Sequence, residues 1–252
     1  MVVQSPLNAQ PNAGAANSWV VLLGALKGGS GKSTAATNLA AQFASEGRRT
    51  LLVATDPQRT TENWIARRRI TSAQRVKEGK GALPDIAFMS QGGEYAAEAL
   101  LDFLPNYDVT IIDTGGFDSV EFRSCLLISH IFLSPIKPSA FDTDTLGKLH
   151  ETVRQAKINN RGLVSRLFVN QAAPTSMATS KQELRELITD EERPMKEFEV
   201  LDTVLVNRVS HWDGAGQGLA QFEVKGASKA ASELTSLYLD VHKLFDQISA
   251  AS

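Results

Sequence analysis

The sequence predicts an α/β fold: one domain, a mostly parallel sheet, and helices on both of its faces. Three observations carry this expectation. Strand-sized apolar runs alternate with segments of helical period along the chain. A glycine-rich loop follows the first apolar run and opens a helix. A later apolar run, residues 109–112, ends in Asp113, and parallel sheets collect ligands at the carboxyl ends of their strands.

Taken in order, residues 19–26 read as the first strand. Residues 33–46 read as a helix whose Ala35, Leu39, Ala40 and Phe43 share one face, stopped by Gly47. Residues 50–55 form a second buried strand, and 60–70 a helix with Trp64 and Ile65 turned inward. The polar, glycine-bearing stretch 71–84 reads as a surface loop. A short strand at 86–89 and a helix at 96–104, stopped by Pro105, lead to the strand at 108–112. The remaining expectations are a helix at 120–128, a strand at 131–136, a helix at 142–157 and a strand at 164–170. A helix at 181–188, a strand at 200–206 and a closing helix at 228–248 complete the series.

The chain has 252 residues and a net charge of −2, which suits one α/β domain and means that any nucleic-acid contact comes from a local patch. No apolar run is long enough to span a bilayer. Residues 1–17, rich in Ala, Asn, Gln and Pro without Lys or Arg, read as a disordered arm rather than a signal peptide, leaving 18–252 as the folded domain. Cys125 is the only cysteine, so one chain holds neither a disulfide nor a cysteine metal cluster, as suits a reducing cytoplasm.

The loop Lys27-Gly28-Gly29-Ser30-Gly31-Lys32-Ser33-Thr34 has the chemistry of a phosphate-binding loop. Its glycines let successive N–H groups point inward at an anion, and the helix start adds free N–H groups and a positive dipole end. Lys32 supplies a point charge for β- and γ-phosphates, and the Ser33 hydroxyl can ligate Mg²⁺. Asp113 is the metal-side carboxylate opposite Ser33. The fold class narrows to a P-loop NTPase, with ATP and Mg²⁺ as ligands. Leu26 stands where the strict pattern wants its first glycine, and Lys27 precedes the glycine pair instead.

That loop resembles the deviant Walker A box, K-G-G-x-G-K-[ST], of the ParA/MinD superfamily of ATPases. The resemblance is closest to the small ParF-like partition ATPases, which share the Thr55-Asp56-Pro57-Gln58 box followed by Asn63-Trp64. It implies that Lys27 reaches across a homodimer to the partner copy's nucleotide; a solvated loop lysine is the plainer alternative. It implies that Asp56 positions the attacking water, although an Asp-Pro turn gives the same sequence. Ala54 replaces the first aspartate of the family's V-D-x-D-P-Q box, removing one carboxylate from the metal's surroundings. The resemblance places Thr114-Gly115-Gly116 at the loop that follows the γ-phosphate, and Asn170 at the adenine edge. It also matches residues 138–142 to a segment lining the dimer face, although Asp142 reads better as a helix cap.

By this resemblance the protein is a slow, partner-stimulated ATPase. Its ATP sandwich dimer binds DNA non-specifically to segregate a plasmid or chromosome, or to position another large cargo. Its partners are a second copy, DNA and a small ParB-like centromere-binding or cargo adaptor protein, in the nucleoid-associated cytoplasm of a prokaryote. Two surfaces offer cations. Residues 59–80 carry Arg59, Arg67, Arg68, Arg69, Arg75, Lys77 and Lys80 against Glu62 and Glu78. The C-terminal region carries Arg208, Lys225, Lys229 and Lys243 among several acids. The closing helix has one apolar stripe, Leu234 to Ile248, but few lysines, so it suits core or dimer packing and not a membrane surface. The competing activities are an ATP-dependent ligase or synthetase on the same scaffold, and an ATP-bound switch that hardly hydrolyses. One cysteine excludes a cluster-bridged reductase.

Overall fold

A computed structural model describes residues 18–93, 95–116, 118–140, 143–208, 214–226 and 228–251. The proposed arm at 1–17 lies outside the described residues, as do Phe141 and Asp142.

Seven strands form one sheet: β1 (Trp19–Leu23), β2 (Thr50–Ala54), β3 (Ala87–Ser90), β4 (Val109–Asp113), β5 (Ile131–Ile136), β6 (Val164–Ala172) and β7 (Glu199–Val206). Their order is β3-β2-β4-β1-β5-β6-β7, and every pairing is parallel. The central strands are apolar throughout because both faces are covered; four of the five β1 residues and all of β2 and β4 are buried.

The helices are α1 (Lys32–Ser45), α2 (Thr60–Lys77), α3 (Ala96–Leu101), α4 (Val120–Ile128), α5 (Thr143–Asn159), α6 (Met177–Ile188) and α7 (Ser228–Ala251). Side chains alternate across each strand, so Val21 and Leu23 face one core while Val20 and Leu22 face the other. The first core receives Leu39 and Phe43 of α1, Trp64 and Ile65 of α2, and Leu237, Val241 and Phe245 of α7. The second receives Leu100 of α3, Phe122 and Leu126 of α4, Leu146 and Val153 of α5, and Leu184 of α6.

The apolar stripe of α7 is spent inside this core. Phe245 stacks on Trp19 with ring centroids 4.4 Å apart, and Tyr238 meets Phe43 edge-on at 4.8 Å. No helix among the described residues is long and apolar enough to cross a membrane.

Several boundaries differ from the sequence reading. Strand β1 stops at Leu23, and Gly24 packs closely against α4 and β5: a Cβ there would fall 2.4 Å from the Phe122 ring and 3.0 Å from Phe132. Helix α3 ends at Leu101, and Pro105 sits inside a separate 3-10 turn, Leu104–Asn106. The largest correction is α2, which continues through residues 71–77, expected as loop. Distant contacts hold it. The Thr71 hydroxyl donates to Gln217 O at 2.7 Å, and Arg68 makes a two-pronged ion pair with Glu223 at 2.7 and 2.8 Å. The pair is buried, its guanidinium also reaches Gly218 O and Pro84 O, and it lies over the Trp64 ring.

Candidate functional site

The glycine loop emerges from β1 at the centre of the sheet, flanked by β4 and β5. Gly31 occupies the cap position of α1 with φ +95°, and no side chain caps the helix. The first turn of α1 also carries no acidic residue, so its N–H groups and dipole remain available to an anion. Lys27, Gly28 and Gly29 are exposed on the rim of the loop, and Ser30 and Lys32 are buried. Ser33 is half-buried and Thr34 exposed at the start of α1.

Burial depresses the Lys32 ammonium below its usual range, against the opposing pull of Asp113 and then Asp56. Asp113 ends β4, in register with Leu23 of β1 and Ala54 of β2. It is 1 % exposed, and loss of hydration pushes its carboxyl up to about 6, even though the Thr61 and Ser33 hydroxyls and Lys32 pull it down. Thr61 Oγ1 donates to Asp113 Oδ2. Asp113 Oδ1 is buried and has no hydrogen-bond partner among the described residues.

Such an orphaned carboxylate oxygen beside a serine hydroxyl fits a divalent cation. Among the described residues no cluster of three or more His, Cys, Asp or Glu side chains can hold a metal. A cation here would therefore be held by Ser33, Asp113 and ligand oxygens, the mode that Mg²⁺ uses beside phosphates.

Asp56 is half-buried just past β2, and its Oδ1 accepts from Gln58 N at 2.9 Å, which closes the Asp-Pro turn. Ala54, buried at the end of β2, puts a methyl group where the related box carries its first carboxylate. Gly116 rests directly on the glycine loop: a Cβ there would meet Gly28 Cα at 2.8 Å and Gly28 N at 2.9 Å. Lys137, at the turn after β5, places Nζ 3.6 Å from where Gly29 would carry a Cβ.

The opposite flank is built by β6. Asn170 Nδ2 donates to Ser30 O at 2.5 Å, and its Oδ1 accepts from Gln171 N at 2.9 Å. The side chain expected at an adenine edge is turned onto the phosphate loop. Gln171 Nε2 donates to Gly29 O at 3.0 Å.

Sequence reasoning overlooked Thr61, Lys137 and Gln171. Only Thr61 left a trace, as a hydroxyl residue in the first turn of the helix that follows the Asp56 box. The two basic surfaces are also reshaped. Arg68 leaves the first for the core, while Arg59, Arg67, Arg69 and Lys77 of its helix stay exposed. In the second, Arg208 pairs with Glu233 and Lys243 with Asp240, leaving Lys225 and Lys229 exposed without an ion pair among the described residues.

The chain is 26 % identical over 209 residues, 82 % of its length and 88 % of the relative's, to the maintenance of carboxysome distribution protein A of Halothiobacillus neapolitanus. Its fold is similar to that of a plasmid partition protein from Borrelia burgdorferi, with a TM-score of 0.60 and 17 % identity across 89 % of this chain and 99 % of that one. It is also similar to a Cyanothece McdA variant in complex with ATP, with a TM-score of 0.63 and 11 % identity across 89 % of this chain and 96 % of that one. Residues 21–219, which hold the glycine loop, Asp56, Asp113 and Asn170, match the model for the CobQ/CobB/MinD/ParA nucleotide binding domain, and the chain belongs to that family.

Proposed function

We propose that the protein is a ParA-type ATPase that positions a large cargo. It takes ATP with Mg²⁺ at the glycine loop and pairs with a second copy across the nucleotide. In that state it holds DNA non-specifically over the nucleoid, in the cytoplasm of a prokaryote. A small partner protein on the cargo stimulates slow hydrolysis and release. The observation that carries this reading is the convergence of Lys32, Asp56 and Asp113 at one loop whose rim exposes Lys27. The names of the relatives favour cargo positioning, whether the cargo is a carboxysome or a plasmid.

Lys32 binds the phosphates, and Ser33 and Asp113 would hold Mg²⁺, which when bound neutralises charge on the phosphate oxygens. Asp56, held by its turn to Gln58 N, orients the water that attacks the terminal phosphate. The one remaining carboxylate can suffice, because phosphoryl transfer depends chiefly on positioning and electrostatics. Lys27 completes the charge around the partner copy's phosphates, and the loop through Gly116 follows the terminal phosphate because it touches Gly28.

The test is association measured by light scattering. ATP should drive dimerisation of the wild type, Lys32→Ala should abolish it, and Lys27→Ala should weaken it while ATP still binds. Pairing of Lys32→Ala as readily as the wild type, or DNA retention unchanged between ATP and ADP, would defeat the reading. The methyl group at Ala54 favours a second possibility, a switch that keeps its ATP. Single-turnover hydrolysis with and without DNA and partner separates the two. Fast turnover that depends on a small-molecule substrate would point instead to a synthetase.

A further inference from the structure

We infer that Asn170 and Gln171 act together as an amide clamp that orients the phosphate loop, and that Asn170 is a positioning residue for the phosphates rather than the reader of the base. This rests on the reading of the loop as a triphosphate site.

Within a planar trans peptide, the C=O and the following N–H point in opposite directions. Gly29 O shares its peptide with Ser30 N–H, and Ser30 O shares its peptide with Gly31 N–H. Asn170 Nδ2 takes Ser30 O at 2.5 Å and Gln171 Nε2 takes Gly29 O at 3.0 Å. Two adjacent side chains therefore draw two adjacent carbonyls to the outside of the loop. The paired N–H groups are held toward the inside before any anion arrives. That is preorganisation of a donor cradle, which lowers the cost of ordering it on binding.

Four further features single out this pair. Gln171 is non-glycine at φ +59°, a left-handed conformation that a side chain adopts at some cost. The β6–β7 ladder shifts register between Val169 and Ala172, so an irregularity re-aims the chain at this point. Gly31 has no Cβ, and one placed there would lie 2.0 Å from Asn170 Nδ2, so the loop and the amide are fitted to each other. Asn170 is also 7 % exposed, and its Oδ1 is already engaged by Gln171 N.

The experiment compares ATP, GTP and inorganic triphosphate as ligands of the full chain by calorimetry with Mg²⁺ present. Wild-type affinity for ATP tests the triphosphate reading by itself. Given that affinity, Asn170→Ala should weaken all three ligands by a common factor of about tenfold, and Gln171→Ala by about threefold. The ATP-to-GTP ratio should stay at its wild-type value. Amide exchange at residues 28–31 should speed up in both variants while the melting temperature of Gln171→Ala stays unchanged. A selective loss of ATP relative to GTP and triphosphate in Asn170→Ala would overturn the inference and return that residue to the base. So would wild-type affinity for all three ligands in Gln171→Ala. If Asn170→Ala fails to fold, Asn170→Ser supplies the same three-ligand comparison, and Gln171→Ala, altered at a less buried side chain, tests the clamp by itself.

Discussion

The two flanks of the phosphate loop are built to opposite specifications. On the β2–β4 side, the carboxylate of Asp113 is buried, raised and left with one oxygen unpartnered. On the β6 side, the amides of Asn170 and Gln171 are engaged, and the loop carbonyls they meet are satisfied. An unsatisfied buried group is a cost that a ligand can relieve, and a satisfied one holds geometry whether or not a ligand is present. The difference assigns response to one flank and rigidity to the other.

The harshest way to break the rigid flank is Gly31→Ala. The added Cβ would collide with Asn170 Nδ2 and would have to tolerate φ +95°. Nucleotide affinity should fall by about a hundredfold or more, because both the cap of α1 and the clamp are displaced. Calorimetry with ATP checks this, and affinity within a few-fold of wild type would show that the fit between loop and amide is unimportant.

The responsive flank is sharpened by Asp113→Asn, which removes the charge and keeps the shape. Because the folded protein binds the Asp113 proton more tightly than the unfolded chain does, this residue's contribution to stability falls as pH rises from about 4 to about 6. Without nucleotide, the variant should therefore melt higher than the wild type near pH 7, by roughly 2–4 °C for each kcal/mol recovered. The gap should close toward pH 4. With ADP, adding Mg²⁺ should raise the melting temperature of the wild type and not that of the variant. Differential scanning calorimetry across pH reads both effects.

The mildest change is Thr61→Val, which removes the hydroxyl that donates to Asp113 Oδ2 and keeps the volume. Leaving that oxygen unpaired should cost about 1–3 kcal/mol by urea unfolding, and Thr61→Ser should recover most of it. An effect confined to Thr61→Ser, with Thr61→Val neutral, would mean that the hydroxyl is not what steadies Asp113.

Much of this arrangement was legible because it is local. Residues 120–128 and 131–136 are helix and strand end for end, since apolar period and length settle both. The glycine loop was legible because a strand, a run of glycines and a helix meet within a few residues. What was hidden is what depends on distant partners. Asn170 and Ser30 are separated by 140 positions, and a β-irregularity leaves no clear mark in composition. Residues 71–77 looked like loop because they are polar, and the contacts that fasten their helix join Thr71 to Gln217, 146 positions later, and Arg68 to Glu223, 155 positions later. The second of these contacts explains why the count of cations in 59–80 overstated that surface.

That buried ion pair sets a limit on dissection of the molecule. Cutting the chain between Arg68 and Glu223 strands a guanidinium over the Trp64 ring with no counter-charge. Tail deletions that remove it would loosen the helix that carries Thr61 to Asp113, so a loss of function in them would not map a binding surface to the tail.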